Sequence, residues 1–379
     1  MTDLAGCKAE ESLRQSAPKE AHLMRRILAA AAAATVLTAA LAAPAAAAVA
    51  HHGGKDAVQR QIDRLTTQDG LAGAVVSVRE RNGRSTSWTS GTAERGTGRP
   101  MVGADAHFRA ASVTKAVIGA QVMRLAAEGR IDLNRRAEHY LPGALGGRAI
   151  TVAQLLRHTS GLPEYFDLVD WTKPATPADH LKLALTREPV GEPGQKWSYS
   201  NTNYLVAGMI IEKVTGRDFR EVTREGVLRG LHGTYWPKPG ELDIRGEHAH
   251  TYGVNPVDPE AGEADVTRLP GHAFGAGGGL VATPADLNRF WQAIPRSTLN
   301  TMLAGRVPAT EPAGSKYGLG LHTYPLSCGP ALMHDGGLPG VRVLSGRDRA
   351  GRAATVYVTG DPKDDRHIFA AFDAALCDR

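Results

Sequence analysis

The feature that most constrains the fold is an alanine-rich, apolar segment that begins at Ser112 and ends at Gly129. The spacing of its residues predicts a helix of about four turns, with the glycine as its C-terminal stop. At about 100° per residue, Ser112 and Lys115 fall on the same face as the apolar side chains. An ammonium group on such a face is costly unless it has polar partners or loses its proton. The segment therefore predicts a buried helix that carries a lysine of lowered pKa one turn after a serine.

A serine beside such a lysine is a candidate nucleophile, because a neutral amine can accept the hydroxyl proton. The alternative interpretation is a lysine that extends along its own stem to reach water. The Ser-x-x-Lys pattern is weak by itself, since Ser16 and Lys19 also match it in an unrelated segment. The position of Ser112 at the start of an apolar helix favours the catalytic interpretation.

The N-terminal region has the pattern of an export signal. Met24 is followed by two arginines, an alanine-rich apolar run and a stretch of small residues that ends at Ala50. This order predicts a signal peptide over residues 24–50 and a secreted mature chain that starts near His51. The alternative is an uncleaved membrane anchor, but the run is short and weakly apolar for one, so we expect no stable membrane insertion after cleavage. Residues 1–23 are polar, and we interpret them as disordered or as an upstream artefact of the assigned start.

Charge and cysteine content narrow the possible partners. The net charge is only +5 over 379 residues, and no Lys/Arg cluster with interleaved aromatic residues is present. We therefore expect no binding of nucleic acid. Cys328 and Cys377 are the two cysteines that remain after signal cleavage. In a secreted protein such a pair predicts a disulfide, with two free thiols as the alternative.

Periodicity along the mature chain predicts strands near both ends and helices between them. Strands are expected over 71–79, 85–92, 317–324, 331–335, 341–346 and 353–359. Helices are expected over 55–69, 151–158, 177–186, 202–215, 218–228, 284–294, 296–303 and 365–376. The fold class is therefore α/β (α+β), with an antiparallel sheet flanked by N- and C-terminal helices and an inserted all-helical domain. We predict a sheet subdomain over 51–145 and 305–379, a helical subdomain over 146–304, and an active site in the cleft between them.

Three further segments join the serine–lysine pair: Gln154–Leu162, Pro193–Tyr204 and His334–Gly337. Together they resemble the serine hydrolases related to class C β-lactamases and to secreted actinobacterial D-alanyl-D-alanine carboxypeptidases. That family carries Ser-x-x-Lys, Tyr-x-Asn and Lys-x-Gly or His-x-Gly in this order. The resemblance extends from Leu71 to Leu376 and implies a β-lactamase/transpeptidase-like fold, with residues 51–379 as the catalytic domain.

The resemblance implies a role for each matching residue. Ser112 would be the acylated nucleophile and Lys115 its proton partner. Tyr199 would share the base role, with its phenolate stabilised by the lysine, and would pass the proton to the leaving group. Asn201 would hold Lys115 and the substrate amide by side-chain hydrogen bonds.

The same resemblance places an oxyanion hole at the backbone N–H groups of Ser112 and Gly337. Gly337 would stand beside Gly336 and His334 on an edge strand, to which a peptide substrate can add by backbone pairing. His334 would shape the electrostatics of the cleft, and a capping or core histidine is the alternative. The implied site contains no metal ligand and no cofactor.

Asp335 departs from the threonine that is frequent at this position in the family. If its carboxylate faces the cleft, it repels the terminal carboxylate of a peptide, and Arg342 is the candidate counter-charge. The enzyme would then prefer substrates without a free C-terminal carboxylate. The alternative is that Asp335 points away from the cleft and pairs locally, because side chains alternate along a strand.

These observations lead to one preferred function and three alternatives. The preferred function is a secreted serine hydrolase that acts as a D-alanyl-D-alanine carboxypeptidase on peptidoglycan stem peptides and is acylated by β-lactams. The alternatives are a class C-like β-lactamase, an esterase or D-amino-acid peptidase of the same family, and a catalytically silent penicillin- or wall-binding protein.

Overall fold

A computed structural model of the protein describes residues 54–378. The predicted signal peptide and the residues before it lie outside the described part of the chain. Within residues 54–378, no helix is both long enough and apolar enough to cross a membrane. These residues belong to one compact unit, and the predicted subdomain boundaries within it stay predictions.

The described chain contains ten helices and twelve strands. The helices are α1 Gly54–Thr67, α2 Thr114–Ala127, α3 Val152–Leu156, α4 Pro177–Ala184, α5 Thr202–Thr215, α6 Phe219–Glu225, α7 Gly275–Gly278, α8 Pro284–Ala293, α9 Arg296–Leu303 and α10 Arg366–Cys377. The strands are β1 Gly73–Arg79, β2 Ser85–Gly91, β3 Phe108–Arg109, β4 Tyr252–Val254, β5 Glu263–Asp265, β6 Val281–Ala282, β7 Val307–Pro308, β8 Lys316–Tyr317, β9 His322–Leu326, β10 Gly329–Leu338, β11 Val341–Arg347 and β12 Ala353–Val358.

Eight of the strands form one antiparallel sheet in the order β2-β1-β12-β11-β10-β9-β8-β7. The C-terminal strand β12 lies between β1 and β11, so both ends of the chain contribute to the same sheet. The predicted fold class, an antiparallel sheet flanked by terminal helices, is confirmed. The long connection between β2 and β7 carries α2 to α9 together with the β4–β5 hairpin and the small β3–β6 ladder, so the insertion is not all-helical, contrary to the prediction.

Alternation along the strands gives the sheet two apolar faces. In β1, Ala74, Val76 and Val78 pack with α1 and α10, while Val75 joins the core on the other side. Successive strand residues point to opposite faces, so a strand that is buried on both sides reads as a continuous apolar run. On the second face, α8 is held by a hydrogen bond from Trp291 Nε1 to Ser345 Oγ at 2.9 Å. The sheet is therefore the central layer between two sets of helices.

Most predicted elements differ from the structure by a few residues at their ends, and two differ in character. The strand expected over 317–324 is two short strands, β8 and β9, because Gly318 to Gly320 pass too close to other backbone for regular pairing. A Cβ on Gly318 would lie 2.2 Å from Met302 O, and one on Gly320 would lie 2.9 Å from Lys115 O. The helix expected from Ser112 begins with a 3-10 turn, and the α-helix proper starts at Thr114.

Cys328 and Cys377 are joined by a disulfide across 49 residues, with their Cα atoms 5.4 Å apart. The predicted pairing is confirmed. The bond connects the turn between β9 and β10 to the last residue of α10, and it therefore ties the C-terminal helix to the strand that carries the third motif.

Candidate active site

Ser112 lies at the junction between β3 and α2, in a 3-10 turn formed by Ala111–Val113. Ala111 has a φ of 47°, an uncommon backbone conformation for a residue with a side chain. The turn is fixed by hydrogen bonds from Thr114 Oγ1 to Ala111 O at 2.6 Å and from Ala110 N to Leu280 O at 2.8 Å. This strained turn presents the half-buried Ser112 hydroxyl to the main cleft.

Lys115 is fully buried one turn further along α2, as the helical spacing predicts. Its Nζ lies 3.0 Å from Ser112 Oγ, 2.6 Å from Asn201 Oδ1 and 2.6 Å from Gly277 O. Two of these three neighbours are carbonyl oxygens that can only accept hydrogen bonds. A neutral amine can donate its two hydrogens to them and direct its lone pair at the serine hydroxyl. The arrangement is that of a base beside its proton donor.

Burial lowers the pKa of Lys115 to about 7, against the weaker opposing effect of the Glu164 and Asp335 carboxylates. Removing an ammonium from water disfavours its charged form, and nearby negative charges favour that form. At neutral pH a substantial fraction of the lysine is therefore unprotonated and able to accept a proton.

Glu164 orients the Asn201 amide, and sequence analysis did not identify it. Its Oε2 accepts from Asn201 N at 2.7 Å and from Asn201 Nδ2 at 3.1 Å, so the amide oxygen must face Lys115. Its Oε1 accepts from Tyr165 N and Phe166 N, both at 2.8 Å. The only sequence signal for Glu164 is its place two residues after the Gln154–Leu162 segment. No local pattern connects it to Asn201, which lies 37 positions away.

Tyr199 lies beside Ser112, with a hydrogen bond between the two side chains. Its ring stacks on His158 at 4.3 Å between centroids, and Lys115 Nζ is 4.9 Å from the centre of the tyrosine ring. Burial raises the pKa of Tyr199 well above 10, and the negative charge of Asp335 adds to this effect. The phenol therefore stays protonated in the resting protein, unlike the phenolate expected from the sequence, and Lys115 is the stronger candidate base.

The second half of β10 forms the other wall of the cleft. Strand β9 pairs only with Gly329 to Met333, so among the described residues Asp335 to Leu338 have β11 as their one ladder partner. The expected edge strand is therefore only partly an edge, because β9 covers one side of β10 as far as Met333 and leaves Asp335 to Leu338 free on that side. Gly336 passes close to the strained turn, where an added Cβ would lie 3.0 Å from Ala110 O. This close approach brings the backbone of Gly337 beside the Ser112 turn.

His334 does not reach the cleft, contrary to its predicted role in substrate binding. It is fully buried, with Nε2 2.9 Å from Tyr317 Oη and Nδ1 2.6 Å from Asp335 O. Burial lowers the pKa of His334 well below its usual value, so the ring is neutral and supports the strand from behind. The core-histidine alternative is the one observed. A different histidine, His322, lines the cleft instead.

Asp335 faces the cleft, and Arg342 does not neutralise it. Its carboxylate is 45% exposed and lies 3.4 Å from His322 Nε2. Burial lowers the pKa of His322 to about 4, so this ring carries no charge at neutral pH. The predicted counter-charge is wrong, because Arg342 Nη1 pairs with Asp361 Oδ1 at 2.9 Å. Asp335 therefore contributes an uncompensated negative charge to the cleft wall.

The cleft has a volume of about 470 Å³ and a mixed aromatic and acidic lining. Its aromatic wall includes Tyr165, Phe166, Trp197 and Phe274. Asp335 and the exposed Glu311 supply negative charge, and the described residues of the lining include no arginine and no lysine. Among the predicted site residues, Ser112, Tyr199, Asn201, Asp335, Gly336 and Gly337 line this cleft, with Lys115 directly beneath.

One group of side chains in the described part of the chain has the spacing of metal ligands: His322, His334 and Asp335. Its geometry does not suit a metal. The Nδ1 atom of His334 is 2.6 Å from the carbonyl oxygen of Asp335, which leaves no room for an ion on that nitrogen, and Nε2 faces a tyrosine hydroxyl. We assign no ligand role to this group, and the expectation of a site without metal or cofactor stays a prediction.

The sheet, the strained serine turn and the buried lysine define the class of protein as a serine hydrolase. The sequence profile of the family described as "Beta-lactamase" matches residues 58–376. The chain belongs to this family, and the resemblance inferred from its motifs is confirmed. Its curated relatives include Penicillin-binding protein 4 of Amycolatopsis lactamdurans, 30% identical over 61% of this chain and 61% of the relative. The chain spans about three fifths of the length of the first curated relatives that it matches.

Two solved structures are similar over nearly their whole length. A D-stereospecific amidohydrolase from Streptomyces sp. is 30% identical, with a TM-score of 0.74 over 85% of this chain and 98% of the other. The D-amino acid amidase from Ochrobactrum anthropi SV3, in complex with L-phenylalanine amide, is 25% identical, with a TM-score of 0.76 over 85% and 97%. A penicillin-binding protein from Bacillus halodurans, at 21% identity and a TM-score of 0.69 over 83% and 100%, shares the fold.

Proposed function

We propose that the protein hydrolyses amides or esters that carry a free ammonium group near the scissile carbonyl, by way of a Ser112 acyl-enzyme. The observation that carries this proposal is the charge of the cleft. Asp335 and Glu311 line it, His322 is neutral, and none of the described residues of its lining is an arginine or a lysine. An ammonium is attracted to such a cleft and a carboxylate is repelled.

In the proposed acylation step, Ser112 Oγ attacks the substrate carbonyl carbon and its proton passes to the neutral amine of Lys115. The carbonyl oxygen becomes negatively charged, and the backbone N–H groups of Ser112 and Gly337 stabilise it. Collapse of the intermediate breaks the bond to the leaving amine or alcohol. The proton returns from Lys115 through the Tyr199 hydroxyl to that leaving group, and water then hydrolyses the acyl-enzyme.

The named activities of the structural neighbours support a D-configured substrate. One neighbour is a D-stereospecific amidohydrolase and another is a D-amino acid amidase. The described residues of this acidic cleft offer no cation for a terminal carboxylate. The D-amino-acid peptidase is therefore the preferred member of the alternatives drawn from the sequence, and the neighbours extend it to a D-amino-acid amidase.

The second candidate is the D-alanyl-D-alanine carboxypeptidase of the cell wall. It is favoured by the relatives named as penicillin-binding proteins and by the unpaired edge of β10, to which an extended peptide can add. Against it stands Asp335, which would face the terminal carboxylate of such a peptide. Acylation by β-lactams is expected for this candidate.

We also propose that the protein is exported, with a signal peptide over residues 24–50 and a mature N-terminus near His51. The disulfide between Cys328 and Cys377 supports this, because disulfides persist in oxidising compartments outside the cytosol. N-terminal sequencing of the protein from culture supernatant tests the cleavage site, and a mature start at Met1 or Met24 would contradict it.

The test of the function is a substrate panel in matched pairs. D-phenylalanine amide is compared with its N-acetyl derivative, and a D-Ala-D-Ala peptide with its C-terminal amide, beside a β-lactam and a short-chain ester. Intact mass follows the acyl-enzyme, with Ser112→Ala as the control for labelling. We expect the free amine to raise kcat/KM and the free carboxylate to lower it.

Each other outcome selects a different function. A preference for the free C-terminal carboxylate would return the carboxypeptidase to first place. Rapid turnover of the β-lactam alone would indicate a β-lactamase. Stable acylation without turnover of any substrate would indicate a silent penicillin-binding protein.

A further inference from the structure

A second groove lies at the opposite end of β10 from the catalytic cleft. It has a volume of about 570 Å³ and is formed by α9, the beginning of β10 and the turn after β11. Pro330 and Leu332 of β10 line it, whereas the catalytic cleft uses the same strand from Asp335 onward. The two sites share no lining residue, so the groove is a separate feature of the surface.

Four arginines dominate this groove: Arg296, Arg306, Arg347 and Arg349, here called the arginine groove. None of the four forms an ion pair with any described residue, although such pairs are frequent elsewhere on the protein. Asp348 is the single acidic residue among the described residues of the lining. Its Oδ1 accepts from Gly351 N at 2.6 Å and from Arg352 N at 2.9 Å, so the carboxylate is committed to its own turn.

Arg347 is the most informative member of the arginine groove, because its side chain is only 8% exposed. Its Nη1 donates to Trp291 O at 3.3 Å and its Nε donates to Asp348 O at 3.3 Å, so both bonds go to backbone carbonyl oxygens and neither to a carboxylate. Burial lowers the pKa of Arg347, the nearby Asp348 carboxylate opposes this effect, and the positive charge of Arg296 adds to the lowering. A buried guanidinium that forms no direct ion pair is costly, and a bound anion would offset that cost.

The backbone around the groove does not suit a peptide that adds as a strand. Thr323 of β9 pairs with Leu332 on one side and with Lys316 on the other, so the ladder here is complete. Recognition must therefore rest on the guanidinium groups, whose planar N–H pairs match phosphate oxygens. The four arginines lie at the start of α9, after α9, at the end of β11 and in the next turn. A ligand that contacts all four must carry several negative charges.

We propose that the arginine groove binds a polyanion that carries several phosphate groups, such as a phosphodiester polymer other than a nucleic acid. This site is independent of the catalytic cleft and of the function proposed for it. Binding would hold the protein on a phosphate-bearing polymer while the cleft at the other end of β10 stays open to substrate.

The test uses a variant of the three exposed arginines, Arg296→Gln, Arg306→Gln and Arg349→Gln. A control variant changes three exposed arginines outside the groove that also lack an ion pair: Arg60→Gln, Arg99→Gln and Arg136→Gln. Both variants lose the same net charge. Binding of short-chain inorganic polyphosphate, orthophosphate and poly-L-glutamate is measured by calorimetry at low and moderate salt, with the secreted or otherwise full-length protein.

We expect the unsubstituted protein to bind polyphosphate more tightly than poly-L-glutamate. The groove variant should bind polyphosphate at least about fivefold more weakly, and the control variant less than about twofold more weakly. Unchanged acylation of Ser112 in the groove variant verifies that it is folded. Equal losses in both variants would reduce the effect to net charge and overturn the proposal. Absence of polyphosphate binding would also overturn the proposal. Tighter binding of poly-L-glutamate than of polyphosphate would overturn it too, and would indicate an acidic protein as the partner.

Discussion

Replacing Asp335 by asparagine removes one negative charge from the wall of the cleft and keeps the size of the side chain. The carboxylate is 45% exposed, and its nearest ring nitrogen is His322 Nε2 at 3.4 Å. Because this histidine is neutral, the substitution breaks no ion pair and leaves no unpaired cation. The substitution therefore changes the charge that a bound substrate experiences without breaking a contact between charged side chains.

The size of that effect follows from Coulomb's law. For a half-exposed carboxylate we take an effective dielectric constant of about 40, between the value for a protein surface and that for water. An ammonium at roughly 5 Å is then attracted by about 1.7 kcal/mol, which corresponds to about 15-fold in kcat/KM. Salt should reduce the difference, because the carboxylate is partly open to solvent.

The assay compares D-phenylalanine amide with its N-acetyl derivative near neutral pH, where the free amine is still largely protonated. Asp335 also raises the pKa of Lys115, so the substitution changes the fraction of active base. That change affects both substrates equally and cancels in the ratio of their kcat/KM values. We expect the ratio, amine over N-acetyl, to fall by about 15-fold in Asp335→Asn. The control Glu188→Gln, an exposed carboxylate outside the cleft lining, should leave it unchanged.

An unchanged ratio in Asp335→Asn would refute the reasoning, since it would mean that the bound substrate does not experience this carboxylate. An equal fall in Glu188→Gln would assign the effect to net charge instead of to the cleft. Either result would remove the argument against a substrate with a C-terminal carboxylate.

Three further predictions follow from the site and the disulfide. The acylation rate should rise with pH around a midpoint of about 7, because burial lowers the pKa of Lys115 to that value and only the neutral amine accepts a proton. A flat pH profile would contradict the role of Lys115 as base. Intact mass should show no labelling of Ser112→Ala by an acylating probe, and labelling of Tyr199→Phe should be at least about 100-fold slower than that of the unsubstituted protein. Labelling of Ser112→Ala would exclude Ser112 as the nucleophile. Reduction of the Cys328–Cys377 disulfide should lower the free energy of unfolding by about 4 kcal/mol in the chain-entropy treatment, and two thiols that titrate in the denatured, non-reduced protein would contradict the bond.

The order of elements was predictable because it depends on local periodicity. The predicted helices 202–215 and 296–303 match α5 and α9 at both ends, and the Ser112–Lys115 contact follows from the pitch of one helical turn. Lys115 was also expected to have a lowered pKa, because a helix that is apolar on the lysine face must be buried. Residues a few positions apart on one element are related by backbone geometry alone, so the sequence is sufficient to bring them together.

The tertiary structure decided the contacts between distant segments. The sequence offered Arg342 as a partner for Asp335, but the sheet register brings the arginine to Asp361 instead. It offered His334 for the cleft, but the alternation of β10 turns that ring into the core and exposes the next residue.

Glu164 and the arginine groove are the clearest cases of what the sequence alone could not provide. Glu164 meets Asn201 across 37 residues, and the four arginines come from three separate stretches of the chain. Neither grouping leaves a local pattern, because each depends on how helices and strands pack after the chain has folded. The sequence determined which chemical groups the protein has and their order along its elements. Packing determined which of those groups contact each other, as Glu164 contacts Asn201, and which lie together without an ion pair, as the groove arginines do.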